Sequence, residues 1–505
     1  MKFKNPIISG FYPDPSICRV EDDFYLVTSS FKYFPGVPIF HSTDLVHWEQ
    51  IGHCLTTPKQ LPLNEKPSSC GIYAPTIRYH EGVFYMVTTN VLEGGNFYVT
   101  ATDPAGPWSE PIWFEDSQGI DPSFFFDEDG KCYLTGTGGD HEKPGIYQVE
   151  IDVQTGKYLS ERKFIWGGTG GAYPEGPHLY KIGEYYYLMI SEGGTEYGHM
   201  LTISRSKHPY GPFESYERNP LLTHRSLNHP IQATGHADLV QHTDGSWWAV
   251  FLAFRPIGYP KKHHLGRETF LAPVTWTEDG WPIVGDNGVI GEEIEHESIM
   301  SEQCFDWKER ENFDQSVLDY KWIYRRNPIE ENFVLNEQEG SLSLLGSSAN
   351  LRDTATHTFI GRRQEHFNCE VSTLMRFDPQ NAEEAGLTIF ANENYHYEIG
   401  LRHVNGKTEV FFRKNVGSIS VVEKSFDYEE GTIELRILAD PEWYKFEIVS
   451  PNGEVVYLGS GECGLLATEV SGGFTGNVFG LYATGNGEKS QNEARFDWFN
   501  YKVNK

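Results

Sequence analysis

The sequence is short of cysteine, of positive charge and of long apolar runs. Seven cysteines in 505 residues, at 18, 54, 70, 132, 304, 369 and 463, include no C-x-x-C pair. A scattered, odd set indicates neither a zinc site nor a disulfide framework, and it fits a reducing cytoplasm. Lysine and arginine number 41 against 71 acidic residues, a formal charge of −30. That balance repels nucleic acid and anionic membrane, and it disfavours a polyanionic substrate such as polygalacturonate. Neutral substrates remain. No stretch approaches the roughly 18 apolar residues of a membrane span. The opening MKFKNPIISGFYPDPS has neither the apolar core nor the cleavage site of a secretory signal.

An apolar content of 39% supports a real core and excludes wholesale disorder. Within it one pattern recurs five times: a small or polar lead, a short apolar strand, a polar turn and an aromatic-rich strand. The copies begin at Asp14 (DPSICRVEDDFYLV), Ala74 (APTIRYHEGVFYMV), Asp121 (DPSFFFDEDGKCYLT), Glu175 (EGPHLYKIGEYYYLM) and His236 (HADLVQHTDGSWWAV). Asp127-Glu128-Asp129-Gly130 and Thr243-Asp244-Gly245 supply the Asp-Gly chemistry of hairpin turns. Phe24-Tyr25, Phe84-Tyr85, Tyr186-Tyr187 and Trp247-Trp248 suit a strand buried on both faces. The starts fall 60, 47, 54 and 61 residues apart, room for four strands each and the size of a propeller blade. Long amphipathic helical stretches are absent between the copies. The reading is all-β: a five-bladed β-propeller over 1–295, then a second domain over 311–505.

The segment Glu292–Glu297 reads as a solvated acidic connector. Beyond 311, period-2 alternation recurs in Cys369–Met375, Thr432–Ile437, Tyr444–Ile448 and Phe496–Phe499. This predicts an antiparallel β-sandwich with one face of each sheet buried.

Equivalent positions of a propeller's inner strands converge on the mouth of its central channel. The repeat places Asp14, Asp121, Glu175 and His236 at one such position, with Ala74 in the second copy. Three clustered carboxyls cannot all ionise freely, because each like charge raises the pKa of the others. One therefore serves as base and another, still protonated, as acid. Glycoside hydrolysis needs that pair. A separation of about 6.5–9.5 Å admits water and inverts the sugar, whereas about 5–5.5 Å gives a covalent intermediate. Singly, Asp14-Pro and Asp121-Pro read as turn formers. Jointly, in one register, the acids point to a site.

Asn5-Pro6-Ile7-Ile8-Ser9-Gly10-Phe11-Tyr12-Pro13-Asp14-Pro15-Ser16 resembles the opening of glycoside hydrolase family 43, in its two-domain β-xylosidase/α-L-arabinofuranosidase branch. Thr28–Gly36, Ser42–Trp48, Tyr173–His178, Ser191–Thr195, Gly235–Asp238, Phe254-Arg255-Pro256, Phe474-Thr475-Gly476 and Phe496–Phe499 carry the same resemblance nearly end to end. It implies an inverting exo-hydrolase. Asp14 would be the general base, Glu175 the general acid, and Asp121 the residue that orients Glu175 and raises its pKa. Arg255 would donate to the terminal sugar's hydroxyls. His236 would sit at the channel floor near the sugar or a central ion. Phe31 and Tyr73 would wall the ring, and Phe474, from the sandwich, would close the rim. Ile72-Tyr73-Ala74-Pro75 departs from the tryptophan that many members carry before Ala-Pro, which leaves xylose and arabinose both open.

The expected activity is release of single pentoses from short hemicellulose fragments such as xylo-oligosaccharides or arabinoxylan pieces, β-1,4-xylose first and α-L-arabinofuranose second. Two carboxyls suffice, so no metal is required for the chemistry, although a structural calcium in the channel or sandwich is compatible with the resemblance. The relatives also lend a precedent for a homo-oligomer assembled through the sandwiches. A non-catalytic carbohydrate-binding protein is the alternative, and it predicts the loss of at least one of the three acids. A retaining fructosidase would want Asn-Asp-Pro where FYPDPS stands. Asp127–Gly130 lacks the distal Glu of an EF-hand. Lys261-Lys262-His263-His264 reads as a loop, and Gly485–Ser490 lacks the spacing of a phosphate loop.

Overall fold

The computed structural model describes residues 2–63, 65, 67–115, 118–139, 142–297 and 307–504. Cys304 lies outside them. Five antiparallel sheets form a β-propeller. Blade 1 holds Ser16–Val20, Asp23–Val27, Gly36–Ser42 and Glu49–Leu55; blade 2 is built around Thr76–His80, Val83–Val91, Gly95–Ala101 and Ile112–Trp113. In blade 3, Ser123–Phe126, Cys132–Thr137 and Ile146–Asp152 are followed by a split outer edge, Lys157–Tyr158 and Lys163–Trp166. Blade 4 runs Glu175–Ile182, Tyr185–Glu192, Met200–Ser206 and Glu214–Ser215, and blade 5 Gln232–Gln241, Trp247–Phe254, Glu268–Trp276 and Pro282–Val284.

The first strands touch their neighbours all the way round, from blade 1 to blade 5 and back to blade 1, so they form the channel wall. The turns fold as their chemistry dictates. Gly130 and Gly245 adopt φ of +83° and +88°, conformations that a side chain disfavours. The acidic segment after the propeller is solvated as expected, with Glu292, Glu293, Glu295 and Glu297 exposed, and it also pairs as a strand. Glu293–Glu295 pairs as a strand with Lys2–Lys4, and the alternating charges face each other as Lys2–Glu295 and Lys4–Glu293 at 4.0 and 3.7 Å.

The C-terminal domain is a β-sandwich of two eight-stranded sheets. Between them pack Val371, Leu387, Ile437, Phe446, Phe479 and Phe499, all inaccessible to water. Helix is confined, among the described residues, to Thr468–Ser471 and two 3-10 turns. No helix in this set is long and apolar enough to cross a membrane.

The domains share structure. Tyr33–Phe34 of blade 1 pairs with Ile323–Arg325 and so becomes the edge of a sandwich sheet. Phe11, Phe31 and Tyr33 join Ile323, Phe359, Phe390 and Tyr482 in one apolar cluster. Beside it, buried Lys32 donates to Ser68 at 2.7 Å and to the Ala391 carbonyl at 3.1 Å, and the Ser68 amide donates to Glu393 at 3.0 Å. Glu393 also pairs with Arg325 and Arg326. The blade-1 segment carrying Phe31 is thereby bolted to the second domain.

Candidate active site

Asp14, Ala74, Asp121, Glu175 and His236, the leads of all five repeats, line one cavity of about 380 Å³ at the channel mouth. Three of them share an unusual backbone: Asp14, Asp121 and His236 have φ of +57°, +56° and +47°. A left-handed non-glycine residue is uncommon, and strain of this kind gathers where surrounding structure imposes it for function. In blade 4 that conformation falls on Gly176, φ +59°, not on Glu175. The sequence shows why. Asp14-Pro15-Ser16, Ala74-Pro75-Thr76 and Asp121-Pro122-Ser123 align with Gly176-Pro177-His178, so the repeat register of Glu175 is off by one. A bulge between Glu175 and His178 takes up the extra residue and turns the Glu175 side chain into the cavity. Gly176 is required for a second reason: a Cβ there would lie 3.0 Å from the His236 ring.

Two residues beyond each slot the same strands fill the channel below. Asp238 accepts from Ser16 Oγ at 2.6 Å, the Ile17 amide at 3.1 Å, Tyr180 at 2.6 Å and Arg78 at 2.7 and 3.2 Å. His178 Nδ1 meets Ser123 Oγ and Arg78, each at 3.0 Å. Burial opposes charge on Asp238, but Arg78 outweighs it and holds the carboxyl well below the usual range. His178 is pushed down by burial to about 3. With Asp238 saturated by protein donors, this plug does not fit a calcium ion, which needs six to eight oxygen ligands. Among the described residues no group of three or more His, Cys, Asp or Glu is placed to hold a metal.

The acids differ in their surroundings. Asp14 accepts from Ser29 Oγ at 2.5 Å and from Arg267 Nη1 at 3.0 Å, with His236 Nδ1 3.9 Å away. Among the described residues Glu175 has no such cation in contact. Burial pushes its carboxyl up, Asp121 and Asp14 push it further, Arg267 pulls back, and it settles at about 8. Asp121 is raised by burial to about 6 against the pull of His236. Its Oδ2 accepts from the Gly176 amide at 3.0 Å, which fixes the backbone next to Glu175. From the other side, Glu192, wholly buried, accepts from the amides of Thr169 and Gly171 and anchors the loop that leads into the bulge.

Phe31, Tyr73 and Phe474 form one wall. Phe474 stacks on Phe31 and meets Tyr73 edge-on, with centroids 5.6 and 5.5 Å apart. Ser69 holds Phe474 in place, its Oγ accepting the Phe474 amide at 2.8 Å, and Tyr73 donates to the Ser69 carbonyl at 2.9 Å.

Arg255 is placed differently from expectation. Its guanidinium donates twice to Glu268, both at 2.7 Å, and packs on Phe367 of the sandwich, so it does not line the cavity. Arg267 takes that place, donating to Asp14 and to Thr195 Oγ1 and lying 5.2 Å from the Phe474 ring centre. Adjacent residues at the start of the strand Glu268–Trp276 thus divide the work, Glu268 holding Arg255 while Arg267, just before the strand, holds Asp14. His263, read as part of a basic loop, also lines the cavity. It lies flat on Phe254 at 3.8 Å, and its Nδ1 and amide meet Glu469 of the sandwich at 2.8 and 2.9 Å. Sequence reasoning did not find Arg267 because the neighbouring Phe-Arg-Pro motif drew the assignment. Gly266, which could not carry a side chain between Phe11 and Gly476, was the available signal of close domain approach at that point.

Comparison with known proteins agrees with this architecture. The family model "Glycosyl hydrolases family 43" matches residues 3–282, and "Beta xylosidase C-terminal Concanavalin A-like domain" matches 310–502. A non-reducing end α-L-arabinofuranosidase, BoGH43B of Bacteroides ovatus, is 46% identical over 99% of this chain and 94% of its own. A xylosidase/arabinosidase of Butyrivibrio fibrisolvens is 41% identical, covering 98% of both. The crystal structure of a xylan β-1,4-xylosidase from Bacillus halodurans superposes with a TM-score of 0.94 at 33% identity, over 99% of this chain and 100% of that one.

Proposed function

Because the chain belongs to glycosyl hydrolase family 43 and is a glycoside hydrolase, we propose that its cavity removes one pentose at a time from the non-reducing ends of short hemicellulose oligosaccharides, with inversion. β-1,4-Linked xylose is the first candidate and α-L-arabinofuranose the second, the two sugars for which the relatives are named. The observation that carries this reading is the unequal treatment of two carboxyls in one cavity. Asp14 is held by Arg267 and Ser29, whereas Glu175 is pushed up to about 8 by burial and by its acidic neighbours. A carboxyl that keeps its proton at neutral pH can deliver it to the glycosidic oxygen.

In this account Asp14 takes a proton from water as the water attacks the anomeric carbon. Glu175 gives its proton to the departing oxygen. Asp121 acts through Glu175, raising its pKa and pinning the Gly176 amide. Arg267 holds the Asp14 carboxylate and reaches into the sugar space, and His236 forms the floor. A cavity of about 380 Å³ is at the small end of the roughly 300–1,000 Å³ of ligand sites. That suits a terminal sugar better than a polymer threaded through. All three acids are present and converge, so nothing favours a binding-only protein.

Initial rates on 4-nitrophenyl β-D-xylopyranoside and α-L-arabinofuranoside test the reading, with Glu175→Ala beside the wild type. Wild-type turnover of either sugar, with a loss of about 10²-fold or more in the variant, is expected for removal of a general acid. No turnover of either would overturn it.

A further inference from the structure

Tyr173 stands out on the mouth of the cavity. It lines the opening yet is 71% exposed, and among the described residues no other aromatic ring packs on it. Its backbone is left-handed, φ +52°, a conformation rare for a bulky residue. The ring lies beside Gly194, where an added Cβ would approach Tyr173 Cδ2 to 3.4 Å, so the bare glycine backbone supports it from one side. Pro174 follows, and the residue after that is Glu175. A strained backbone therefore presents an apolar ring to solvent two residues before the proposed proton donor.

The position has a chemical consequence. If Glu175 protonates the glycosidic oxygen, the group attached to that oxygen must leave past Glu175 toward the mouth. Tyr173 precedes Glu175 on the same chain segment and sits at that mouth. Phe31, Tyr73 and Phe474, packed on one another, form the wall for the terminal sugar, which leaves Tyr173 as the exposed ring of the lining for a second one. Sugar rings carry an apolar face of C–H groups that packs on aromatic rings. We propose that Tyr173 is the platform for the sugar on the leaving side of the scissile bond, and so sets preference for an oligosaccharide over a simple glycoside. Glu196, exposed on the same rim, adds that this second ring is neutral, since a uronic acid would be repelled. This inference rests on the exo-hydrolase reading above.

The test compares kcat/KM on xylobiose, whose leaving group is a sugar ring, with β-D-xylosyl fluoride, whose leaving group has none. If arabinofuranose proves the better terminal sugar, the arabinosyl counterparts replace both. Tyr173→Ala is expected to lose about tenfold on the disaccharide, the size of one aromatic packing contact. It should keep its rate on the fluoride, while Tyr173→Phe keeps both. Tyr173→Asn, whose residue type tolerates the left-handed backbone, should behave as Tyr173→Ala. The fluoride rate reports correct folding in the same sample. Equal losses on both substrates, or no loss on either, would overturn the platform with the hydrolase reading intact. A wild type inert on both would overturn the hydrolase reading and the platform with it.

Discussion

The Phe474 ring stacks on Phe31 at 5.6 Å with an interplanar angle of 27°, yet the two residues belong to different domains. Both line the cavity. The propeller supplies the acids, and the sandwich closes the wall against which a sugar would lie. The strand Tyr33–Phe34, hydrogen-bonded into a sandwich sheet and beginning two residues after Phe31, explains how that contact is kept in register.

Phe474→Ala should therefore raise KM for the aryl glycoside and lower kcat/KM about 10- to 100-fold, in line with about 1.5–3 kcal/mol for a buried Phe-sized side chain. The variant should still melt cooperatively. Steady-state kinetics beside a thermal melt checks both, and an unchanged KM would contradict a shared wall.

The two arginines should separate cleanly. Arg267→Ala removes the donor to Asp14 and Thr195 from inside the cavity. It should cost about 10²-fold or more in kcat/KM. Arg255→Ala leaves Glu268 buried and deprived of its cation. Stranding a buried charge costs about 3–5 kcal/mol, so this variant should lose thermal stability while its folded fraction stays active. The opposite pattern would restore Arg255 to the site.

The raised pKa of Glu175 has a stability consequence with a definite sign. Between its ordinary value, near 4.5, and about 8 the folded protein holds a proton that the unfolded chain has released. Stability then falls as pH rises through that window. Glu175→Gln abolishes the effect. The variant should melt higher than the wild type at pH 8, by an amount on the order of a few kcal/mol, and the gap should close near pH 4.5. Parallel melts across pH 4.5–8.5 measure it, and a gap that widens toward acid would refute the assignment.

Glu469 ties the sandwich to the cavity rim through His263 and through Tyr197, whose hydroxyl donates to it at 2.8 Å. Glu469→Ala should lower the melting temperature and raise KM. A double-mutant cycle with His263→Ala should show coupling of about 0.5–3 kcal/mol, as residues in direct contact do. Additive effects would mean that the contact does not position His263.

Much of this was legible in the residues. The recurring lead position named four polar residues, and all four line one cavity. The alternating strands at 369, 432, 444 and 496 read as sandwich strands because one face of each is buried. What escaped was whatever depends on a partner far along the chain. Arg255 and Arg267 lie twelve positions apart, and only the pairing of Ala253 with Glu268 shows which of them faces Asp14. The register of Glu175 failed by one residue because a bulge adds a residue to blade 4, and the shared proline after Gly176 was the signal that placed it. The acidic stretch near 293 is exposed as expected, but its pairing as a strand was hidden because its partners, Lys2 and Lys4, lie some 290 positions away at the start of the chain.

If Asp14 activates water while Glu175 protonates the leaving oxygen, the sugar released must carry the inverted anomeric configuration. Proton NMR of the first sugar released, recorded before mutarotation, tests this directly. From a β-xyloside the account predicts α-xylose as the first product, and from an α-L-arabinofuranoside the β-anomer. First release of the anomer that the substrate already carried would mean a covalent intermediate, and would contradict the role given to Asp14.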